Sequence, residues 1–123
     1  MSVLGELQPN KVFKYFEEIC SIPHGSRNLQ QISDYLVDFA KAHGLKYRQD
    51  EDLNVIIWKD GSKGYEASEP VILQGHMDMV AVKEVDCDKD MEKEGLDLEI
   101  NGDYISAKGT SLGGDDGIAV AYT

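Results

Sequence analysis

The feature that most constrains the fold is a short apolar run that stops at a glycine. The stretch from Val71 to Leu73 is wholly apolar, and Gly75, His76 and Asp78 follow it closely. Such a run is typical of a strand buried on both faces of a sheet, so we predict a strand over 71–74. Because ligands bind at the carboxyl ends of strands in open α/β sheets, the pattern predicts an α/β fold with a site at this edge.

The remaining sequence predicts helices and short strands on either side of this run. Apolar periodicity predicts helices over 10–20 and 29–43, and β-branched and aromatic residues predict strands over 47–49 and 53–59. The Asn101-Gly102 pair predicts the turn of a β-hairpin over 98–107, preceded by a charged loop over 83–97. A last helix-forming run has room for only about two turns, which are marginal in isolation. We therefore expect the chain to be part of a longer protein.

Composition excludes several partners. The chain has 23 acidic and 12 basic residues, for a net charge of −11, and this argues against binding to nucleic acid or to an anionic membrane surface. No apolar run is long enough to span a bilayer, and the start of the sequence lacks the pattern of a secretory signal. Cys20 and Cys87 are predicted to be free thiols of a cytoplasmic protein, with one long-range disulfide as the alternative.

Two glycine-flanked loops carry the residues suited to chemistry. On extended backbone His76 and Asp78 point the same way, so the carboxylate can orient an imidazole that binds a metal. The alternative is a loop histidine bonded to backbone. Asp115 and Asp116 precede the last predicted helix, where an aspartate either caps the helix or bridges two metal ions. Histidine and carboxylate together suit zinc or a related divalent ion.

Three stretches, "ICSIPHGS", "LQGHMDMV" and "GTSLGGDDGIAVA", closely resemble the aminoacyl-histidine dipeptidases. These enzymes, also called Xaa-His or cytosol non-specific dipeptidases, belong to the dinuclear-zinc exopeptidases. The resemblance implies a three-layer αβα catalytic domain, of which residues 1–123 would be the N-terminal part. It also implies hydrolysis of dipeptides by water activated between two zinc ions, with cobalt or manganese as alternatives. The rest of the catalytic domain and a lid domain, together with homodimer formation, would belong to the intact protein.

Carried over to this sequence, the resemblance implies a role for each site residue. His76 would bind one zinc ion, Asp115 would bridge both ions, and the catalytic residue Asp78 would orient His76. The peptide after Asp115 would be cis, and Asp116 stands where the subgroup often has asparagine.

The general base and the other metal ligands are not in this sequence, so the chain alone is expected to bind zinc weakly and to hydrolyse nothing. A non-catalytic binding or scaffold module of the same fold, or a related deacylase or tripeptidase, is the alternative. Two histidines are expected to have no catalytic role. His24 is expected to make a structural loop contact, and His43 fits the preference for cations near a helix C-terminus.

Overall fold

The computed structural model describes all 123 residues, Met1–Thr123, as three helices and four strands. The elements in chain order are α1 (Asn10–Cys20), α2 (Gln30–Ala42), β1 (Lys46–Gln49), β2 (Val55–Trp58), β3 (Leu98–Asn101), β4 (Tyr104–Ala107) and α3 (Gly114–Tyr122). They divide into two compact units, one of residues 1–32 with 74–123 and one of residues 33–73. None of the helices has both the length and the apolar character needed to cross a bilayer.

In the first unit α1 packs against α3. The buried side chains of α1 are Phe16, Ile19 and Cys20, whose spacing of three and four residues places them on one face of the helix. The facing positions of α3 are Gly117 and Ala121, both buried. Small residues on α3 let the two helices approach closely, and this packing fixes where the first residues of α3 lie.

The β3–β4 hairpin confirms the prediction from the Asn-Gly pair. Asn101 pairs with Tyr104 across the turn, and Gly102 has φ = +60°, a conformation that favours glycine. Leu98 and Ala107, which pair at the other end of the hairpin, are buried. The hairpin therefore contributes its open end to the core of this unit.

The second unit joins α2 to the β1–β2 hairpin through a buried hydroxyl. Ser33 of α2 is fully buried and donates to the backbone carbonyl of Leu53 at 2.7 Å. The amide of Gln49 donates to the Ser33 oxygen, also at 2.7 Å. The buried hydroxyl thus has both a donor and an acceptor partner, as a polar group removed from water requires.

The strand predicted over 71–74 is wrong. Residues 71–74 have no regular secondary structure, and Val71, Ile72 and Leu73 are 82%, 89% and 67% exposed. A strand buried on both faces needs neighbouring strands to satisfy its backbone and layers to cover its side chains. Every strand of this chain pairs within its own hairpin, so none pairs with the apolar run.

Gly113, just before α3, combines an unusual backbone conformation with a close contact. Its φ is +72°, and a Cβ atom there would lie 2.9 Å from Sδ of Met79. Gly102 is the matched control, because it has φ = +60° and no atom within 4 Å of the corresponding Cβ position. We expect Gly113→Ala to lower the free energy of unfolding by about 1–3 kcal/mol more than Gly102→Ala, since only the first adds a steric clash. Urea denaturation measures both, and equal losses would contradict the contribution of Met79.

The two cysteines are free thiols, as predicted, and they differ in burial. Cys20 is 1% exposed, and burial raises the pKa of its thiol to about 12, whereas Cys87 is partly exposed. Because the thiolate is the reactive form, we expect a thiol reagent at about pH 8 to modify Cys87 in the folded chain and Cys20 only after unfolding. Cys87→Ser should then leave the folded chain unmodified, and labelling of Cys20 in that variant would contradict the prediction.

Candidate functional site

The structure brings His76, Asp78 and Asp115 together within the first unit. His76 lies in the loop that follows the exposed apolar run, and its imidazole stands between two carboxylates. Its Nδ1 atom is 3.0 Å from Oδ1 of Asp78, and its Nε2 atom is 3.0 Å from Oδ1 of Asp115. The three residues singled out from the sequence thus form one cluster, although the predicted strand before them is absent.

Asp78 holds the Nδ1 side of the imidazole. Nδ1 also lies 3.0 Å from the backbone carbonyl of Asp78, so both nearby acceptors favour a proton on Nδ1. With the proton there, the neutral imidazole presents the lone pair of Nε2 towards Asp115. This is the orientation expected of a histidine that binds a metal through Nε2. The alternative of a loop histidine bonded to backbone alone does not describe the site.

The charges of the cluster act on one another. The hydrogen bond to Asp115, followed by those to Asp78, raises the pKa of His76. The pKa of Asp78 is lowered, chiefly by the hydrogen bond from the Ser26 hydroxyl and also by His76. Without a metal ion, the hydrogen bonds to the two aspartates therefore favour the protonated form of His76.

Asp115 and Asp116 lie in the first turn of α3 but do not cap it. The N-cap is Gly113, which makes no side-chain hydrogen bond, and both aspartates have non-helical dihedral angles. The peptide between them is cis, as the resemblance implied. The interpretation of these residues as ordinary helix caps is therefore wrong.

The two aspartates have different partners. The Asp115 side chain is 96% exposed, so its carboxylate retains room for further ligands. Oδ2 of Asp116 accepts the backbone N–H of His76 at 3.2 Å. This contact needs only an acceptor, so asparagine could make it as well, and the departure from the subgroup at position 116 leaves the contact intact.

The donor atoms fit a metal ion in part. Two ligands of a tetrahedral zinc ion, each about 2.1 Å from it, lie about 3.4 Å apart. Nε2 of His76 and Oδ1 of Asp115 are 3.0 Å apart, so these two atoms would have to move apart before both could bind one ion. No group of three or more histidine, cysteine, aspartate or glutamate side chains is arranged to hold a metal. His76 and Asp115 are therefore two candidate ligands that do not complete a metal site by themselves.

The other two histidines lie outside this cluster. His24 is buried, and its Nδ1 atom lies 2.6 Å from the carbonyl of Ile22, to which it donates in the neutral form. Burial lowers the pKa of His24. The loop contact predicted for His24 is observed. His43 is exposed, with Nδ1 2.8 Å from the carbonyl of Phe39 and its ring against that phenylalanine.

Together, the fold and the cluster define an α/β protein in which one imidazole is held between two carboxylates. Comparison with known proteins gives the particular relatives. The chain is 40% identical over 121 residues to the cytosol non-specific dipeptidase of Escherichia coli (strain K12), covering 98% of this chain and 25% of that protein. It matches the crystal structure of the aminoacylhistidine dipeptidase from Vibrio alginolyticus with a TM-score of 0.92 and 38% identity.

The structural match covers 96% of this chain and 24% of the Vibrio protein, so the chain spans about a quarter of the length of either relative. No protein-family model matches the chain. The chain is a homologue of these dipeptidases over nearly its whole length, and the resemblance drawn from its sequence is confirmed. The predicted α/β fold is confirmed by the same structural match.

Proposed function

We propose that this chain forms the N-terminal part of the catalytic domain of a metal-dependent dipeptidase. His76 and Asp115 would be metal ligands, and Asp78 would orient His76. The observation that carries the proposal is the imidazole of His76, held at Nδ1 by Asp78 with Nε2 directed at Asp115, each contact at 3.0 Å. Two relatives named as dipeptidases, at 40% and 38% identity, support the reaction class.

The residues of the chain would prepare the site for zinc, with cobalt and manganese as alternatives. Zinc, when bound, polarises a carbonyl and lowers the pKa of a water molecule so that a nucleophile is available at neutral pH. His76 must lose its Nε2 proton to act as a ligand, whereas Asp78 keeps the proton on Nδ1. The exposed carboxylate of Asp115 has two oxygens and could contact two ions. Metal uptake should therefore weaken as the pH falls and His76 retains both protons.

The substrate class follows from the relatives. We propose an unblocked dipeptide as substrate, with histidine as a favoured second residue because one relative is named for aminoacylhistidine. The other relative is named as a cytosol dipeptidase, and we propose a cytoplasmic location for this protein too. For the intact protein we also propose a homodimer that binds neither nucleic acid nor membranes.

The test uses the complete natural protein and the 123-residue chain side by side. The complete protein should cleave Ala-His, lose this activity after treatment with a chelator and regain it with zinc. The 123-residue chain should cleave nothing, because it supplies only two ligands.

N-acetylated amino acids and tripeptides form the comparison panel. Preferential cleavage of either would replace the dipeptidase proposal with a deacylase or a tripeptidase. No hydrolysis of any substrate, with zinc present, would favour a binding module. Dipeptide cleavage by the 123-residue chain would contradict the proposal that further ligands are needed.

A further inference from the structure

We propose that Ser26 is a positioning residue that fixes the carboxylate of Asp78 and, through it, the imidazole of His76. The Ser26 hydroxyl donates to Oδ2 of Asp78 at 2.6 Å, across 52 residues of sequence. The other oxygen, Oδ1, is the one that contacts Nδ1 of His76. Ser26 thus stands at the start of a chain of contacts that leads through Asp78 to the candidate metal ligand.

The hydroxyl of Ser26 has one proton and two acceptors within reach. Oδ2 of Asp78 lies at 2.6 Å, whereas the backbone carbonyl of Met79 lies at 3.4 Å. A hydrogen bond to a charged acceptor is shorter and stronger than one to a neutral carbonyl. The proton therefore belongs to the contact with Asp78.

The backbone around Ser26 holds the hydroxyl in place. The N–H of Ser26 donates to the carbonyl of Met79, and the N–H of Met79 donates to the carbonyl of His24, each at 3.0 Å. Gly25 lies between these contacts, where a Cβ atom would come within 2.8 Å of the Ala81 Cβ. Residues 24–26 and 79 are therefore docked backbone to backbone, and the Ser26 side chain starts from a fixed position.

Both oxygens of the Asp78 carboxylate are engaged as a result, one by Ser26 and one by His76. The His76 side chain is 50% exposed and that of Asp78 is 38% exposed, so burial alone does not fix either group. Without the Ser26 hydroxyl, Oδ2 would face water and the carboxylate could rotate away from Nδ1. His76 would then lose the partner that keeps its proton on Nδ1 and its Nε2 lone pair directed at Asp115.

The experiment compares Ser26→Ala with Ser26→Thr, which retains a hydroxyl. Ser2→Ala is the matched control, because the Ser2 hydroxyl also donates to a carboxylate oxygen, that of Glu17, at 2.6 Å and outside the site. In the complete, metal-free protein with labelled histidines, at a pH at which the His76 imidazole is neutral, the ring carbon shifts of His76 report which nitrogen carries the proton. Competition with a chromophoric chelator then gives the dissociation constant for zinc.

We expect Ser26→Ala to shift the His76 proton from Nδ1 towards Nε2 and to raise the zinc dissociation constant about 3- to 10-fold, at or below the range for groups that orient a ligand. Ser26→Thr and Ser2→Ala should stay within about twofold of the natural protein, the level expected when the orienting contact is intact. In an Asp78→Ala background the effect of Ser26→Ala should disappear, because Ser26 acts only through Asp78.

The proposal would be overturned if Ser26→Ala changed neither the position of the proton on the His76 ring nor the zinc affinity. An equal loss of affinity in the Asp78→Ala background would also overturn it. If circular dichroism shows that Ser26→Ala is unfolded, Ser26→Cys, a similar shape with a weaker donor, replaces it under the same two criteria.

The importance of this positioning for metal binding rests on the function proposed above. The two proposals fail separately. Absence of zinc binding in the natural protein would refute the metal site, whereas the ring measurement on metal-free protein would still decide the role of Ser26.

Discussion

Replacing His76 with alanine is expected to reduce kcat/KM of the complete protein for dipeptides by more than about 100-fold, beyond the 10- to 100-fold range typical of groups that only orient a ligand. The substitution removes Nε2, the nitrogen that lies 3.0 Å from Asp115 and that we propose as a ligand. Because the His76 side chain is 50% exposed, its removal leaves little cavity, so folding should be nearly unchanged. Steady-state kinetics and a zinc titration measure the effect.

His43→Ala is the control for this substitution. His43 is exposed, and its ring contacts Phe39, so its loss should leave activity and zinc affinity within about twofold of the natural protein, as expected for a group outside the metal site. A His76→Ala protein with kcat/KM close to the natural value would show that His76 is not a ligand. It would also remove the observation on which the proposed function depends.

Replacing Asp78 with alanine is expected to lower zinc affinity and kcat/KM each by about 10- to 100-fold, less than the loss of a ligand itself. The carboxylate contacts Nδ1 of His76 at 3.0 Å and keeps the proton on that nitrogen. Its loss frees the ring to rotate and to exchange tautomers. Equilibrium competition for zinc and steady-state kinetics provide the two values.

Asp103→Ala is the matched control for Asp78, since Asp103 is an exposed aspartate in the turn between β3 and β4. Both substitutions remove one negative charge, but only one of them touches the site. If the two variants lose affinity equally, the effect of Asp78 would come from net charge, and its orienting role would be refuted.

Local sequence patterns were sufficient to predict the structure wherever a short segment determines its own conformation. The spacing of Phe16, Ile19 and Cys20 predicted α1 with its observed bounds, and Asn101-Gly102 predicted the hairpin turn. The prediction that His76 and Asp78 face the same point also required only the backbone between them. The prediction that Asp115 belongs to the site depended on the glycines around it and on the resemblance to a known family.

Predictions that depended on residues far apart in the sequence were less accurate. Burial of Val71 to Leu73 was inferred from composition, but an apolar run becomes a buried strand only when other strands pair with it and other layers cover it. Helix capping was one of the two interpretations left open for Asp115 and Asp116, because capping is a local role. The observed partner of Asp116, the N–H of His76, lies 40 residues away. The partner of Ser26, Asp78, lies 52 residues away in the sequence. The resemblance of the stretch "SIPHGS" to a known family was the only sequence signal near Ser26.

The central claim is that His76 and Asp115 bind the same metal ion, and a crystal structure of the complete protein grown with zinc tests it most directly. The account predicts an anomalous scattering peak about 2.0–2.2 Å from Nε2 of His76 and from a carboxylate oxygen of Asp115, with Asp78 still on Nδ1. A zinc ion bound elsewhere, with His76 still hydrogen-bonded to Asp115, would contradict it.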